Sequence, residues 1–431
     1  MADSMTLITI KGRYFWQGDK RFLVNGVVYQ QYRPKGAAGS PDPLADDQLE
    51  DLRRCIPLFR ELGLNTLFIY SIDETKNHDE AMNLLAEAGI YVLLGLSTPR
   101  RAISRIAPYE SYTVDLLQQT FRAVDAVAAY PNTLGVIVSN EVISTTQSTR
   151  AAPVIRALTR DVKRYMAEAA DRAGQRVLPV GISAVDVLSF QMLQFDYFSA
   201  GPEEEAIDFF SFNNYSWAGE SSYTVSGYEN KVRKSATLRY PFGAPFHEYS
   251  EPILNTAQVR NFSKTHIPVF FSEYGTNLNM PRTFHETTCI YTHPEMTRVF
   301  SGGIVYEFMY GLNKYGIVER HADGTFEKLA DFENLKGRLQ SRGTEEPARI
   351  DDAEASALRK PEMPEPGRNW LADGPIPVCP LDWEEVRRQI EDGQWVDVDE
   401  EIWELDTESW VLRAFRPRYE GESVSTEQVP P

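Results

Sequence analysis

The sequence predicts a protein of the α/β class built as a (β/α)8 barrel, because eight apolar, β-branched runs alternate with charged, helix-like stretches. Continuous hydrophobicity within a run is typical of parallel strands that are covered on both faces. A barrel of this kind takes roughly 250–300 residues, so a chain of 431 residues has room for one barrel and an appendage. The eight runs are residues 22–30, 66–71, 91–97, 134–141, 178–183, 209–215, 268–275 and 302–308.

Helix-like segments lie between several of these runs and would form the outer layer of the barrel. The clearest are residues 48–62, 79–88, 113–129 and 151–173. In the first of them, Leu49, Leu52 and Leu62 form an imperfect helical stripe, and Pro57 predicts an interruption.

The connection between the sixth and seventh strands of the barrel is a long insertion. It runs from residue 227 to residue 268, and its middle part, residues 233–258, is aromatic and rich in turn-forming residues. Connections of this length are commonly functional lids or disordered insertions. Two alternatives therefore stay open, a lid beside the cleft and a peripheral loop.

Composition divides the chain into three parts. Residues 1–340 hold the predicted barrel domain. Residues 341–372 are rich in Glu, Asp, Pro and Arg, which predicts a disordered acidic linker. Residues 373–431 form an acidic C-terminal segment that either docks as a short folded element or binds an unidentified protein. Its tryptophans are Trp383, Trp395, Trp403 and Trp410.

The charge balance argues against two classes of partner. The chain has 44 Lys and Arg against 62 Asp and Glu, a formal net charge of -18. Binding to nucleic-acid phosphates or to anionic lipid surfaces relies on clustered Lys and Arg, so neither partner is expected. A neutral polymer such as a polysaccharide meets no such objection.

The cysteines and the two ends of the sequence predict a protein made and kept in the cytoplasm. Cys55, Cys289 and Cys379 are an odd number at wide spacing, which predicts neither a disulfide framework nor a metal site. The six histidines fit no metal-binding motif, and no cofactor is expected. The first residues lack the apolar core of a secretory signal, and the last residues lack the tail that directs a glycolipid anchor. No run approaches the ~20 apolar residues of a transmembrane helix.

Two strand-like phrases, VIVSNEV at residues 136–142 and PVFFSEYG at residues 268–275, carry a glutamate near their ends. Catalytic residues of (β/α)8 enzymes lie at the carboxyl ends of the strands, where these phrases place Glu141 and Glu273. Glycoside cleavage needs one carboxylic acid that protonates the leaving oxygen and one carboxylate that attacks or activates water. Either glutamate alone is more simply explained as a solvated loop residue. The pair predicts a catalytic site, with Glu141 as acid/base and Glu273 as nucleophile.

Five further side chains at strand ends are candidates for binding a sugar. Asn140 precedes Glu141, where an amide can bond the hydroxyl beside the reacting carbon. Tyr215 is placed to hydrogen-bond the nucleophile and keep it ionised. For each tyrosine, core packing is about as good an explanation. The remaining candidates are Gln30, Tyr70 and Tyr306.

The phrases ELGLNTLFIYSID, YPNTLGVIVSNEV, PVFFSEYGTN and NKYGIV occur in this order within residues 8–340. Together with shorter phrases between them, they resemble the fungal β-1,3-glucanosyltransferases of glycoside hydrolase family 72. The resemblance implies a retaining (β/α)8 enzyme that cuts an internal β-1,3-glucan linkage and transfers the glycosyl-enzyme to the non-reducing end of another glucan chain. It implies that Glu141 is the acid/base and Glu273 the nucleophile. The sugar-binding positions it implies are Gln30, Tyr70, Asn140, Tyr215 and Tyr306.

The chain departs from the resembled family in three respects. Leu52, Ala81, Ala218 and Thr276 stand where the family's core cysteines are expected, so both partners of two disulfides are replaced together. Gly95 stands where the family has an aspartate, which removes a hydrogen-bonding carboxylate from the end of the third strand. Family members act at the cell surface, anchored by a glycolipid or held in the cell wall. This sequence instead predicts a cytoplasmic protein, in which disulfides contribute little.

Three functions are compatible with these residues. The leading hypothesis is a β-1,3-glucanosyltransferase, and the sequence alone does not rank transfer against hydrolysis of the same glucan. A catalytically weak or inactive homologue that binds carbohydrate or protein is the alternative, favoured by Gly95, the replaced cysteines and the acidic tail. The presence of both carboxylates favours catalysis, because a binding protein needs neither.

Overall fold

Eight parallel strands close into a barrel in the computed structural model, which describes residues 5–30, 41–229, 262–343 and 345–393. The strands are β4 (Val24–Val28), β5 (Thr66–Ile69), β6 (Tyr91–Gly95), β7 (Thr133–Asn140), β8 (Val180–Val185), β9 (Phe209–Asn214), β10 (Val269–Tyr274) and β11 (Gly302–Val305). Neighbours in the chain are neighbours in the barrel, and the pairing of β11 with β4 closes the circle. Each of the eight apolar runs overlaps one strand of the barrel, so the predicted (β/α)8 barrel is confirmed.

Both faces of each strand are buried, which explains why the runs are continuously apolar. In β4, Val27 packs with the residues of the surrounding helices, whereas Val28 belongs to the interior of the barrel. Phe68 and Leu93 from the next two strands fill the same interior. A strand covered on both sides has no polar face, and the period of two that marks a half-exposed strand is therefore absent.

A three-stranded antiparallel sheet, which was not predicted from the sequence, closes the amino-terminal end of the barrel. Its strands are β1 (Ile8–Lys11), β2 (Tyr14–Gln17) and β3 (Lys20–Phe22), and a separate hairpin joins β12 (Val318–Arg320) to β13 (Phe326–Lys328). The Phe15 ring centroid lies 6.0 Å from that of Phe209 and 5.9 Å from that of Phe270, in β9 and β10. The carboxyl ends of the strands are thus the face on which a site can form.

Helices surround the barrel. They are α1 (Leu49–Leu62), α2 (Asp79–Glu87), α3 (Val114–Ala128), α4 (Ala152–Ala173), α5 (Leu188–Ser199), α6 (His285–Thr292), α7 (Pro294–Val299), α8 (Ala330–Gln340), α9 (Asp352–Ala357) and α10 (Trp383–Asp392). The first four correspond to the four predicted helical segments. The predicted interruption at Pro57 is wrong, because α1 runs through it without a break. Pro57 is exposed, so water can bond the carbonyl that its missing N–H leaves unpaired.

Residues 345–393 run along the outside of the barrel. Trp370 is 1% exposed, and its ring centroid lies 5.3 Å from that of Tyr197 in α5. Further on, α10 lies against α4, where Arg387 binds Glu168 at 2.9 Å. This segment includes most of the residues that were predicted to form a disordered linker. Composition is averaged over many residues, so it gives no sign of a single buried anchor such as Trp370. The three-part division of the chain itself stays a prediction.

Two predictions concern residues that lie outside the described ranges. One prediction concerns the long insertion, residues 233–258. The other concerns the acidic tail beyond residue 393, with Trp395, Trp403 and Trp410.

The three cysteines are free thiols. Leu52 in α1 and Ala81 in α2, at two of the expected cysteine positions, are fully buried in the layer between barrel and helices. Apolar packing therefore occupies the space at these two positions. In the described part of the chain, no helix is both long and apolar enough to cross a membrane.

Candidate active site

Glu141 and Glu273 lie at the same end of the barrel. Glu141 is the first residue after β7, and Glu273 is the penultimate residue of β10. Because all eight strands are parallel, their carboxyl ends meet at one mouth, where side chains can converge on one ligand. Both glutamates are thus at strand ends, as predicted, and their catalytic roles stay predictions.

Two tyrosines hold the carboxyl group of Glu273. Tyr70, just after β5, donates its hydroxyl to Glu273 Oε1 at 2.5 Å, and Tyr215, just after β9, donates to Oε2 at 2.5 Å. Glu273 is 0% exposed. Hydrogen bonds from hydroxyls to carboxylates are short and strong. The two donors therefore fix the orientation of the carboxyl group and favour its ionised form.

Burial and the charge of Glu141 oppose that ionisation. Together they raise the pKa of Glu273 to about 8, while the hydroxyls of Tyr215 and Tyr70 act to lower it. Because the charge of Glu141 contributes to the rise, a proton on Glu141 makes Glu273 easier to ionise. The electrostatics thus favour a pair that holds one proton, with one carboxylic acid and one carboxylate.

The backbone of Glu141 has an uncommon conformation. Its φ is 51°, in the left-handed region that residues other than glycine rarely adopt. The N–H of Glu141 donates to the carbonyl of Ser183 at 2.9 Å, and the guanidinium of Arg105 donates to the carbonyl of Glu141 at 2.7 Å. Backbone strain of this kind is concentrated at functional sites, where surrounding contacts hold it in place.

Asn213, which was not predicted from the sequence, holds the carboxyl group of Glu141. Its amide nitrogen donates to Glu141 Oε1 at 2.9 Å, and it pairs with Glu273 across the neighbouring strands. Its amide oxygen accepts from Ser183 at 2.9 Å and from Ser272 at 2.8 Å, which fixes the orientation of the amide. Burial raises the pKa of Glu141, and the Asn213 amide opposes this rise. The available signal was a pair of amides ending the apolar run FFSFNNY.

Three tyrosine rings form a wall beside Glu273. The ring centroid of Tyr215 lies 6.4 Å from that of Tyr306 and 5.7 Å from that of Tyr315. The amide of Asn313 donates to the Tyr306 hydroxyl at 3.0 Å and to Glu307 Oε1 at 2.6 Å, which ties the wall to a buried carboxyl group. Aromatic faces combined with hydroxyls suit a ligand that has both apolar faces and polar edges, as a sugar has. Tyr306 was a predicted binding residue, whereas Tyr315 was not.

The two predicted amides also lie at the mouth. Asn140 ends β7, and its amide oxygen accepts from Asn213 at 3.3 Å. Gln30 follows β4 and donates its amide to the carbonyl of Pro41 at 3.2 Å. These bonds fix the amides in the wall of the mouth, and their roles in sugar binding stay predictions.

A buried ion pair supports the backbone at the mouth of the barrel. Arg282 Nε binds Asp331 Oδ2 at 2.6 Å, with both side chains almost fully buried. The same guanidinium donates to the carbonyl of Gly275 at 3.0 Å and to that of Tyr306 at 2.7 Å. Gly275 lies two residues after Glu273. The ion pair therefore connects the backbone of the Glu273 strand to that of the tyrosine wall.

Gly95, the last residue of β6, lies against the backbone of Tyr70. A Cβ atom at position 95 would be 2.4 Å from the Tyr70 carbonyl oxygen. Tyr70 is one of the two donors to Glu273. This mouth is therefore shaped around a glycine, and a side chain at position 95 would displace a residue that holds the carboxyl group.

The arrangement brings to one mouth the two carboxyl groups that are predicted to act as nucleophile and acid. Two hydroxyls favour an ionised Glu273, and burial favours a protonated Glu141. A carboxylate and a carboxylic acid at one site are the pair of groups that cleavage of a glycosidic bond requires. Across the described ranges, no cluster of three or more His, Cys, Asp or Glu side chains could hold a metal ion.

The chain is similar to known glucanosyltransferases in sequence and to a solved structure of a related protein in fold. A family model described as glucanosyltransferase matches residues 1–251 and 254–342. The chain is 38% identical over 389 residues to 1,3-beta-glucanosyltransferase gel1 of Aspergillus fumigatus, covering 86% of this chain and 77% of that protein. It is 39% identical over 333 residues to 1,3-beta-glucanosyltransferase GAS5 of Saccharomyces cerevisiae, covering 76% and 61%. The solved structure of Saccharomyces cerevisiae Gas2p in complex with laminaritriose and laminaritetraose is similar at a TM-score of 0.70 and 31% identity, covering 86% of this chain and 76% of that one.

Proposed function

The chain belongs to the glucanosyltransferase family of glycoside hydrolases, family 72, and from this premise we propose that it transfers segments of β-1,3-glucan from one chain to another. It is a transglycosylase of the glycoside hydrolase type. The complex of Gas2p with laminaritriose and laminaritetraose, which are short β-1,3-glucans, supports the choice of substrate. The observation that carries the proposed mechanism is the pair of tyrosine hydroxyls bonded to the two oxygens of Glu273.

In the first step, the Glu273 carboxylate attacks the anomeric carbon of an internal linkage. The bond from that carbon to the bridging oxygen breaks, and Glu141 gives its proton to this oxygen as the reducing-end fragment leaves. A glycosyl ester on Glu273 and an ionised Glu141 remain. Tyr70 and Tyr215 support this step because they orient Glu273 and favour its ionised form.

In the second step, the non-reducing end of another glucan chain supplies the nucleophile. Glu141 takes the proton of an acceptor hydroxyl, whose oxygen attacks the anomeric carbon and displaces Glu273 as a carboxylate. Both residues return to their starting forms. The amide of Asn213 stays bonded to Glu141 in this scheme and keeps its carboxyl group beside the reacting oxygen.

Water competes with the acceptor in the second step. If water attacks the glycosyl ester instead, the same residues hydrolyse the glucan. The ratio of transfer to hydrolysis therefore depends on how well the acceptor is bound while the ester exists, and not on the first step.

The proposal is tested by incubating the purified chain with a reduced laminari-oligosaccharide and resolving the products by size. The variants are Glu273→Gln, Glu141→Gln and, as a matched control, Glu286→Gln. Glu286 is a second buried carboxyl group, 5% exposed, that has no role in the scheme. Products longer than the donor are expected from the parent chain and from the control variant, and from neither of the other two.

Other outcomes identify the alternatives. Products that are only shorter than the donor mean a hydrolase. A donor that binds but stays unchanged means a carbohydrate-binding homologue. Unchanged turnover in Glu273→Gln would show that the residue assignment is wrong.

The division into domains and the location of the enzyme remain proposals. Residues 1–340 are proposed as the catalytic unit, which agrees with the range that the family model matches. The relatives are fungal enzymes, and their names give no support to the predicted cytoplasmic location. Fractionation of cells that express the native gene tests that location, because recovery in the cell wall or membrane fraction would contradict it.

A further inference from the structure

Three buried side chains form a hydrogen-bonded triad beside the two glutamates. They are Ser183 in β8, Asn213 in β9 and Ser272 in β10, and none of them is more than 2% exposed. The hydroxyl oxygens of Ser183 and Ser272 lie 2.9 Å and 2.8 Å from Asn213 Oδ1, and 2.6 Å from each other. The other end of the same amide, Asn213 Nδ2, donates to Glu141. The two serines therefore contact the amide through its oxygen, and Glu141 contacts it through its nitrogen.

The triad has fewer hydroxyl hydrogens than oxygen–oxygen contacts. Each serine hydroxyl has one hydrogen to donate, so two hydrogens are shared among three contacts. Both hydrogens can go to Asn213 Oδ1, or one serine can donate to the other, which then donates to Asn213. In either arrangement, Oδ1 accepts at least one hydrogen bond from a serine. The amide nitrogen of Asn213 is then left facing Glu141.

The opposite orientation of the amide would work against the acid/base. It would turn Asn213 Oδ1 towards Glu141 Oε1, so two acceptors would face each other whenever Glu141 is ionised. In the proposed mechanism, Glu141 is ionised between the two steps. A donor that faces the carboxylate stabilises this form, whereas an oxygen at the same place opposes it. The serine hydroxyls disfavour the opposite orientation, because it takes their acceptor away.

A β-bulge brings Ser272 into the triad. In the pairing of β10 with β9, one pair is Phe271 with Phe212, and the next is Glu273 with Asn213. Ser272 is thus an extra residue between the two pairs. An extra residue interrupts the alternation of side chains along a strand. Two consecutive side chains of β10 can therefore both point into the barrel, Ser272 towards Asn213 and Glu273 towards its two tyrosines.

Ser183 also holds the backbone of the acid/base. Its carbonyl oxygen accepts the N–H of Glu141 at 2.9 Å, which supports the left-handed conformation there. An alanine at position 183 would keep this carbonyl and remove only the hydroxyl. The substitution therefore isolates the contribution of the triad.

We propose that Ser183 and Ser272 are positioning residues of the transfer reaction, because their hydroxyls hold the amide of Asn213 in the orientation that donates to Glu141. The inference rests on the proposed acid/base role of Glu141. It assigns the two serines to the proton transfers of both steps, in which they act through Asn213.

The test compares two donors that need the acid to different extents. One is a reduced laminari-oligosaccharide, and the other is a dinitrophenyl glycoside of the same oligosaccharide, whose leaving group departs without a proton. The main variant combines Ser183→Ala with Ser272→Ala. We expect it to lower kcat/KM about tenfold for the first donor and less than about threefold for the second, because only the first needs a well-placed acid.

Ser211→Ala is the matched control. Ser211 is also a buried serine, in β9, and its hydroxyl donates to the carbonyl of Ile182 at 2.9 Å. Its substitution removes a buried hydrogen bond that does not involve Asn213, so kcat/KM should stay within about twofold of the parent for both donors. Each single variant of the triad keeps one hydroxyl on Asn213 and should lose about threefold with the first donor. The inference can therefore be tested even if the combined variant does not fold.

A double-mutant cycle separates positioning from a merely structural role. If the serines act through Asn213, then replacing them in an Asn213→Ala background should lower kcat/KM less than about twofold further, because there is no amide left to orient. A structural role would give the same loss in both backgrounds and with both donors. Either of these results would overturn the inference.

Failure of the proposed function looks different, because the parent chain would then consume neither donor. In that event, the side-chain amide signals of Asn213 in an NMR spectrum test the triad without turnover. The signals are identified by their absence in Asn213→Ala. They should shift in the combined serine variant and stay in place in Ser211→Ala. Unchanged Asn213 signals in the combined variant would also overturn the inference.

Discussion

Replacing Tyr215 by Phe should shift the acidic limb of the pH profile of kcat/KM upwards by about 1–2 pH units. The substitution removes one of the two hydroxyls that donate to Glu273, at 2.5 Å, and leaves the ring in place. A hydrogen bond to a charged group contributes about 1.5–3 kcal/mol, and one pKa unit corresponds to about 1.4 kcal/mol. The lost bond had favoured the ionised form, so its removal raises the pKa of Glu273 further above its ordinary value.

The direction of the effect on rate follows from the proposed role of Glu273. The nucleophile acts as a carboxylate, and its ionised fraction falls about tenfold for each pH unit below the pKa. At a pH well below the limb, kcat/KM of Tyr215→Phe should therefore be about 10–100 times lower than that of the parent chain. The deficit should shrink as the pH rises through the shifted pKa.

The assay is the initial rate of donor consumption between about pH 5 and pH 10.5, a range that reaches past a limb shifted upward from a pKa of about 8. Tyr165→Phe is the matched control. Tyr165 is also buried and also donates to a carboxylate, that of Asp125 at 2.7 Å. Its loss should lower stability without moving the limb. If Tyr215→Phe lowers the rate by one factor at every pH, then the hydroxyl does not tune the ionisation of Glu273, and the reasoning is refuted.

Three other predictions concern the stability of the protein and the space beside Tyr70 at the mouth of the barrel. Burial raises the pKa of Glu286 to about 7 in the folded protein, so its stabilising contribution is full below about pH 4.5 and is lost as the pH rises through 7. Urea unfolding should find Glu286→Gln close to the parent at pH 4.5 and more stable by up to about 3 kcal/mol at pH 8; equal stability at pH 8 would contradict this. Trp370→Ala should lower the free energy of unfolding by about 3–5 kcal/mol, and a loss under about 1 kcal/mol would mean that the C-terminal segment is not anchored there. Gly95→Asp should reduce kcat/KM about tenfold by displacing Tyr70, whereas a gain in activity would show that the mouth has room for the carboxylate.

The barrel could be predicted because its strands are covered on both faces. Their residues form continuous apolar runs, and a polar residue that ends such a run stands out, as Glu141 and Glu273 do. The β1–β3 sheet was missed because strands of three or four residues are too short to show a period. Its packing under the barrel depends on contacts with strands that are distant in the chain, such as those of Phe15 with Phe209 and Phe270.

The supporting residues of the site were harder to find from the sequence. Asn213 looks like an ordinary strand end, and its importance comes from the side chains that the closed barrel brings beside it. Arg282 and Asp331 are 49 residues apart in the chain, and nothing local marks them as partners. Local sequence thus locates the strand ends, whereas the side chains that orient the reacting groups are fixed by tertiary structure.

The left-handed backbone at Glu141 makes alanine and glycine unequal choices for inactivating the enzyme. Alanine would remove the acid but keep a φ of 51°, whereas glycine adopts this conformation without penalty. Placing a residue other than glycine in the left-handed conformation costs about 1–2 kcal/mol. The glycine variant is therefore expected to be the more stable starting point for an engineered enzyme that joins glycans. The difference between the melting temperatures of the two variants would measure how much stability the protein loses by holding residue 141 in the left-handed region. In that case a single torsion angle sets a balance between stability and catalysis.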